Sequence, residues 1–582
     1  MISFNQLRKN LKKDIGNLPK QKFAILSDSS TQLMVQAIRG YGIEQNFDIE
    51  IYEPEFNQID QEIFNRSSGL YTFQPAFTFI HFSTEHLLKK FYQTPVTTRI
   101  KFSDDIIAYI RSLVETLTGN SSTQIILSNF IEINDGVFGN FATKESGSSL
   151  YQLRKLNMLL MDLAHAYPHV FICDLLALQS NLGYANIFEA KTYITADMVF
   201  SIDFLPWFAK SIIDIIAAAR GFVKKCVIVD LDNTMWGGII GDDGMEGIQV
   251  GDLGLGKAFL EFQYWLKELK QRGILIAICS KNTESIAKEP FLDHPDMVLR
   301  MDDIAIFIAN WENKVDNIRF IQSVLNIGFD SMVFLDDNPF EREMVRSAIP
   351  AIAIPDLPAD PAEYLIYLRT LNLFETISFT QEDTERTLLY QLESQRTDFQ
   401  RSFASEDNFL ENLEMSADVE SFNKFSSPRV AQLTQRSNQF NLRTVRYSEA
   451  EILSLISAGN VYTMSLSLED KFGNHGLIGA IILKAVDEST VFIDTWIMSC
   501  RVLKRGMENF TLNCIVELAA KHGFMKILGE YIPTRKNGMV GNHYAGLGFT
   551  ATSDDKWELK LSDYNPKKTF ITKKEKQAVH AS

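Results

Sequence analysis

The sequence predicts a multidomain α/β protein that closes with an α+β domain, and three observations carry that prediction. The chain has 582 residues, too many for one hydrophobic core. Two long stretches, 22–215 and 224–370, alternate short apolar runs with helical patterns, which is the rhythm of strand–helix units in an open parallel sheet. After residue 427 the rhythm changes to three longer strand-like runs and then one helix.

The elements follow in order. The runs "KFAILSDSS", "AFTFIHF", "TQIILSNF" and "HVFICDLL" read as strands of a first α/β domain, residues 1–217, with helices over 104–118 and 148–166. "KCVIVDLD", "ILIAICSKN", "SMVFLDDN" and "AIAIPDL" read as strands of a second, residues 218–375. Residues 376–426 are polar, charged and without strand runs, and read as a helical connector. "VYTMSLSLED", "LIGAIILKAV" and "TVFIDTWIMS" begin the α+β domain, residues 427–570, whose helix spans 506–522. A basic tail, 571–582, is expected to be loose, or alternatively to steer an acidic partner.

Composition narrows the function. Hydrophobic residues make up 46% and charged residues 22%, the balance of a soluble globular protein. The net charge of −16 argues against nucleic acid as a partner. Five scattered cysteines with no CxxC pair fit neither a disulfide framework nor a zinc site, and point to a reducing cytoplasm. The polar, lysine-rich start has no signal-peptide pattern. No apolar run is long enough for a membrane span, so no membrane partner is expected.

The second domain carries the chemistry. "CVIVDLD" is apolar along its body and acidic at its carboxyl end, where open α/β sheets bind ligands. Asp230 and Asp232 start on the same side of the strand, with Leu231 pointing away. Two carboxylates so close need a cation or a shared proton, and Mg²⁺ suits an oxygen site. Three more polar tips follow: Ser280 with Lys281 and Asn282, then Lys314 near a helix start, then Asp336 and Asp337.

These four motifs, in this order, resemble those of the haloacid dehalogenase-like (HAD-like) phosphohydrolases, which implies a Rossmann-like α/β domain. The resemblance implies Asp230 as nucleophile, Asp232 as general acid and base, and Thr234 steadying the turn. Ser280 and Lys314 would hold the phosphoryl oxygens, with Lys281 and Asn282 beside them. Mg²⁺ would be held by Asp230, the Asp232 carbonyl and Asp336, and Asp337 either binds it directly or supports its neighbours. The gaps after Asp232 and Ser280 leave no room for a large cap. Trp236 either lids the site or packs the flap onto the body.

A narrower resemblance is to the FkbH-like proteins, carried by "DLDNTMWGGIIGDDG", "CSKN", "LDDNPFERE", "LTQRSNQFNLRT", "DKFGNHGLIG", "SCRVLKRGMENF" and "YIPTRKN". It implies an enzyme that takes a three-carbon glyceryl-type unit from an acyl phosphate such as 1,3-bisphosphoglycerate and removes phosphate. It would load the unit on the phosphopantetheine thiol of a separate acyl carrier protein. Cys279, adjacent to Ser280, would carry the acyl group in transit, with Cys500 as a rival thiol and direct transfer as the third route. A regular strand would point Cys279 and Ser280 to opposite faces. Two other functions compete: a stand-alone phosphatase acting on a sugar phosphate or polysaccharide precursor, and a non-catalytic scaffold.

The C-terminal domain is similar to the GNAT acyltransferases. "RVLKRG" keeps Arg501 and Gly506 of their phosphate-cradling signature and adds Arg505, but has Lys504 in place of the first glycine. Arg501, Arg505, Gly506 and Tyr544 are the candidate pantetheine or acyl contacts, and Tyr544 is either a general acid or a packing residue. Asn438 and Asn441 line a groove or cap a loop, and His475 sits in a solvated turn. The N-terminal domain resembles the SGNH hydrolases, of flavodoxin-type architecture, with Ser29 as the nucleophile position and Asn129 nearby. No DxxH stands where the base should be, since "YITADMVFSIDFLPW" has no histidine, so the domain is read as degenerate, because a serine without a base is a poor nucleophile.

Overall fold

A computed structural model describes residues 1–16, 18–55, 57–400, 403, 405–534 and 536–574, without the side chains of 381, 382, 394, 397, 398 and 500. The chain forms two compact units, Met1–Ala219 and Arg220–Ser582.

In the first unit, β1 (Lys20–Ser27), β2 (Asp48–Tyr52), β3 (Phe77–His81), β4 (Gln124–Ser128) and β5 (Val170–Cys173) form a parallel sheet in the order β2-β1-β3-β4-β5. Parallel strands need crossovers, and helices such as Gln32–Glu44, Phe102–Asn120 and Ser149–Ala166 supply them. Both faces of such a sheet are covered, which is why β3 is buried at every position of "FTFIH". The chain leaves β1 toward β2 on one side and returns to β3 on the other. The carboxyl ends of β1 and β3 therefore flank a topological switch point.

The second unit holds two sheets. The first comprises β6 (Cys226–Val229), β7 (Leu275–Ser280), β8 (Ile304–Ala309) and β9 (Met332–Leu335), all parallel, in the order β8-β7-β6-β9. Alternate residues feed separate cores: Val227, Val229, Ile276 and Ile278 enter one, and Cys226, Ile228, Ala277 and Cys279 the other. β6 is central, so its acidic tip lies beside the tips of β7 and β9.

The second sheet adds β10 (Ser416–Glu420), β11 (Val461–Asp470), β12 (Gly473–Ala485), β13 (Thr490–Met498), β14 (Lys526–Glu530), β15 (Thr550–Ser553), β16 (Lys556–Lys560) and β17 (Thr572–Lys573), in the order β15-β16-β14-β13-β12-β11-β10-β17. Two expectations change here. Residues 376–426 are not strand-free, since β10 pairs antiparallel with β11. The start of the tail is not loose: β17 pairs with β10, while 575–582 lie outside the described residues.

The connector helix Arg386–Gln400 packs on both sheets of the unit. Its Tyr390 is buried in the core under β6 and β7, Gln391 Nε2 donates to the Ile304 carbonyl at 2.9 Å, and Arg396 makes a two-pronged ion pair with Asp470 at 2.7 and 2.8 Å. Among the described residues no helix is long and apolar enough to cross a membrane.

Candidate active site

The tips of β6, β7 and β9 and the start of the helix Lys314–Leu325 converge. Lys314 is 2% exposed, and its Nζ lies 2.6 Å from Asp336 Oδ2 and 2.9 Å from Asp230 Oδ2. Burial opposes its charge, but the two carboxylates overcome that and hold the ammonium above its ordinary range. Burial first, then the Asp230 charge, push the Asp336 carboxyl up to about 6. Asp337 is raised for the same reasons.

Asp230, Asp336 and Asp337 each offer a carboxylate oxygen within 4.8 Å of the others. Asp230 Oδ1 is buried and has no hydrogen-bond partner. A buried carboxylate oxygen in that state is costly unless something meets it. One lysine does not neutralise three acids, so the residues present fit a hard divalent cation with oxygen ligands.

Thr234 Oγ1 receives the Asp337 N–H at 3.2 Å and donates to Asp337 Oδ1 at 3.4 Å, tying the turn after β6 to the tip of β9. Asp232 sits apart from the three acids. Its Oδ1 accepts from Trp236 Nε1 and the Ile240 N–H, both at 3.0 Å, and its Oδ2 accepts from Asn282 Nδ2 at 2.8 Å. Burial raises its carboxyl although these three bonds oppose the rise.

Several expected roles are corrected. Asn282 donates to Asp232. Lys281 turns to Glu341 at 2.6 Å. Of the two readings of Trp236, packing holds: it is fully buried and donates to Asp232, a part that the i, i+4 spacing in "DNTMW" permits. Ser280 lies at the site, 2% exposed. Cys279 borders it from beneath: it is fully buried, its Sγ faces the Lys314 carbonyl at 3.9 Å, and burial pushes its thiol up to about 12. The strand alternates through Ser280, so the thiol and the Ser280 hydroxyl leave opposite faces; the thiol shares the face of Cys226, Ile228 and Phe334, and the charges of Lys314, Asp230 and Asp336 reach it. The Cys500 side chain lies outside the described residues. Sequence reasoning also missed Arg342, whose guanidinium donates to the Asp336 and Asp337 carbonyls at 2.7 Å and fixes the β9 tip.

In the C-terminal sheet the basic loop is engaged. Arg505 is buried against Glu393, Asp470 and His475. Arg501 is buried and donates to the His475 carbonyl at 3.4 Å. His475 is not solvated: it is 1% exposed and bound to Asp470 at 3.0 Å. Lys504 and Gly506 both take positive φ, 63° and 77°, so the lysine adopts the backbone expected of the missing glycine. Tyr544 is 1% exposed, its hydroxyl without a partner. It lies so close to β14 that a Cβ on Gly529 would come within 2.5 Å of its ring. Asn441 caps its own loop, accepting from Thr444 N at 2.8 Å. Asn438 donates to the Gly221 carbonyl at 2.8 Å.

In the first unit, Ser29 is buried and its hydroxyl meets Ser27 at 3.1 Å. Asn129 donates to Asp174 at 2.6 Å. No histidine among the described residues hydrogen-bonds Ser29.

Comparison with known proteins agrees with this architecture. The family model of the FkbH N-terminal domain matches residues 22–217. The crystal structure of the N-terminal part of the protein BF1531 from Bacteroides fragilis, containing a phosphatase domain and complexed with Mg, is 51% identical with a TM-score of 0.63, covering 65% of this chain and 100% of that one. The ribosomal-protein-S18-alanine N-acetyltransferase from Escherichia coli is 16% identical over 26% of this chain and 96% of its own, with a TM-score of 0.20. The spermidine/spermine N-acetyltransferase SpeG from Vibrio cholerae, in mutant forms, is 13% identical over 26% and 96%, at 0.21. Likenesses at those two scores carry no argument about activity. No curated protein matches.

Fold and site together define a multidomain α/β protein with a lysine-bridged acidic centre at the carboxyl edge of a parallel sheet. The chain belongs to the FkbH-like family.

Proposed function

We propose that this protein is a Mg²⁺-dependent phosphoryl-cleaving enzyme that loads a glyceryl-type acyl unit onto the thiol of a separate acyl carrier protein. One observation carries the phosphoryl chemistry: the Asp230–Lys314–Asp336–Asp337 constellation, with one Asp230 oxygen buried and unpaired. The Mg-bound phosphatase domain of the Bacteroides fragilis relative supports the same reading.

Asp230 is the nucleophile toward a phosphomonoester. Asp232, aligned by Trp236, Ile240 and Asn282, gives its proton to the leaving oxygen and then takes one from water. Lys314 offsets the charge gathered on Asp230 and on the phosphoryl group, and Ser280 orients that group. Asp230, Asp336 and Asp337 would hold Mg²⁺, which supplies charge stabilisation for phosphoryl transfer when bound.

A substrate such as 1,3-bisphosphoglycerate presents two phosphates. Asp230 cleaves the phosphomonoester P–O bond. The carrier thiolate attacks the acyl carbon, forming the C–S bond while the acyl C–O bond breaks and inorganic phosphate leaves. Burial of the Cys279 thiol and the rise of its pKa to about 12 oppose its ionisation, which supports direct transfer to the carrier. We place the carrier's phosphopantetheine phosphate at the start of the helix Met507–Lys521, behind the positive-φ pair Lys504 and Gly506, where backbone N–H groups converge.

The burial of Cys279 also favours a second reading, a plain phosphatase acting on a sugar phosphate. Intact-mass analysis of a phosphopantetheinylated carrier after incubation with 1,3-bisphosphoglycerate separates the two. A carrier that gains the glyceryl mass supports loading; phosphate release with an unmodified carrier leaves the phosphatase. Asp230→Asn, nearly isosteric, is expected to lower phosphate release by about a thousandfold or more; a wild-type rate would remove Asp230 from the mechanism.

A further inference from the structure

The first unit carries polar groups that phosphoryl chemistry does not use. They gather at the carboxyl ends of β1 and β3, the switch point at which open sheets of this order bind ligands. Asp28 follows β1 and accepts the Ser83 N–H at 2.9 Å. His86, on the helix Thr84–Gln93, places Nε2 3.0 Å from Asp197 and Nδ1 3.6 Å from Asp28. Asp197 is brought there by Ser30, whose hydroxyl donates to the Ala196 carbonyl at 2.8 Å and whose N–H donates to the Asp197 carbonyl at 3.2 Å. The contact with Asp28 leads the effects that raise His86 to about 9. It is an imidazolium at neutral pH and not a base for Ser29.

Glu85 adjoins this pair. Its Oε1 is buried with no hydrogen-bond partner, and its charged neighbours are Asp28, His86 and Asp197. Tyr184 and Tyr193 lie close enough to feel the Glu85 charge, and neither hydroxyl has a hydrogen-bond partner among the described residues. Phe188 stacks on Tyr184 at 5.3 Å and tilts against Tyr193 at 5.5 Å, and Tyr193 faces His86 at 6.4 Å.

His81 adds an independent sign. It is 1% exposed, and its Nε2 has no partner. Its Nδ1 is tied to Ser128 of β4 at 2.8 Å. The opposite ring edge therefore faces the β1 side, where Ser27 is its register partner and Asp28 is the charge acting most strongly on it. A buried polar atom without a partner calls for one.

The chemistry selects the ligand. Asp28 and Asp197 stand against one imidazolium, and burial raises the Glu85 carboxyl to about 7, so the cluster keeps surplus negative charge and unused acceptors at and above neutral pH, and the missing group is a cationic donor. A metal ion does not fit, because Asp230, Asp336 and Asp337 are the only acids among the described residues that converge on one ion. Half-buried aromatic rings beside carboxylates receive an organic cation on their faces. We propose that the β1–β3 switch point of the N-terminal unit binds a small organic amine, its ammonium among Asp28, Glu85 and Asp197 and its carbon skeleton against Tyr184, Phe188 and Tyr193.

The test is ligand-observed saturation-transfer NMR on the full chain with benzylamine and, as the neutral match, benzyl alcohol. Benzylamine is expected to bind with a Kd on the order of 1 mM, as suits a fragment, and benzyl alcohol not at all. Glu85→Gln and Asp197→Asn are each expected to weaken benzylamine about tenfold without lowering the melting temperature, and Tyr193→Phe to retain binding that Tyr193→Ala loses. Asp230→Asn is expected to bind benzylamine normally. The proposal is overturned if folded wild-type protein does not bind benzylamine or if the alcohol binds equally well. Unchanged affinity in both carboxylate variants, or loss of binding in Asp230→Asn, overturns it as well.

Discussion

At the scale of single residues, Lys314 shows how one charge organises a site. Its side chain is 3% exposed between two carboxylates that are themselves 10% and 0% exposed. Breaking such a buried pair from one side leaves uncompensated charge, at a cost of about 3–5 kcal/mol. Lys314→Met is therefore expected to lower the unfolding free energy measured in urea by that amount, and an unchanged value would show that the acids do not depend on the lysine. Cys279 is the opposite case, a thiol beside Lys314 that is sealed in the core. Cys279→Ala is expected to cost about 1–2 kcal/mol for lost packing and to leave phosphate release and carrier loading at wild-type rates. A tenfold fall in loading alone would restore the thiol to the mechanism. The sequence placed both residues beside the site and the structure keeps them in contact; what sets the thiol apart is burial, which opposes its ionisation.

At the scale of elements, the connector between the two sheets of the second unit carries more than its polar sequence suggests. The helix Arg386–Gln400 commits Arg396 to Asp470, which also receives His475. Burial alone would raise the Asp470 carboxyl, but hydrogen bonds from His475 and Arg396 outweigh it and hold the carboxyl well below the ordinary range. A folded-state pKa depressed in this way contributes stability above the unfolded value of about 4, and the contribution is lost as pH falls through the folded value. Asp470→Asn is thus expected to lower the melting temperature most at neutral pH, with the gap to wild type closing toward strongly acidic pH. A gap that widens on acidification would contradict this sign. β10 escaped sequence reasoning because "SADVE" is short and polar on alternate positions. Its strand state comes from antiparallel pairing with β11, and pairing of this kind outweighs local propensity.

At the scale of the whole molecule, three acids, one lysine and an unpaired buried oxygen make the site electrostatically incomplete. Filling it is expected to act on stability as well as on rate, because a ligand bound by the native state alone raises the melting temperature. Mg²⁺ is expected to raise the melting temperature of wild-type protein and to restore phosphate release after EDTA treatment, whereas Asp336→Asn is expected to lose the thermal shift. Full activity in chelated buffer would exclude the metal from the reaction.

The sequence by itself determined the order of the strand–helix units, the acidic and lysine positions of the phosphoryl site, and the lack of a histidine in "YITADMVFSIDFLPW". Each of these is a local property: an apolar run, a polar tip at a strand end, a residue that is or is not written. What only the tertiary structure decided is direction and company. Cys279 points away from Ser280 because strand alternation persists to the end of β7. Asn282 and Trp236 serve Asp232 because the flap folds back over it. Arg501 and Arg505, read as a basic loop open to phosphate, are buried in polar networks by the β11–β12 hairpin, with Glu393 of the connector helix also holding Arg505. His86 reaches Asp197, distant in the chain, only through the crossover topology of the first sheet. Side-chain direction and long-range pairing depend on packing against elements distant in the chain, so no window of sequence contains them.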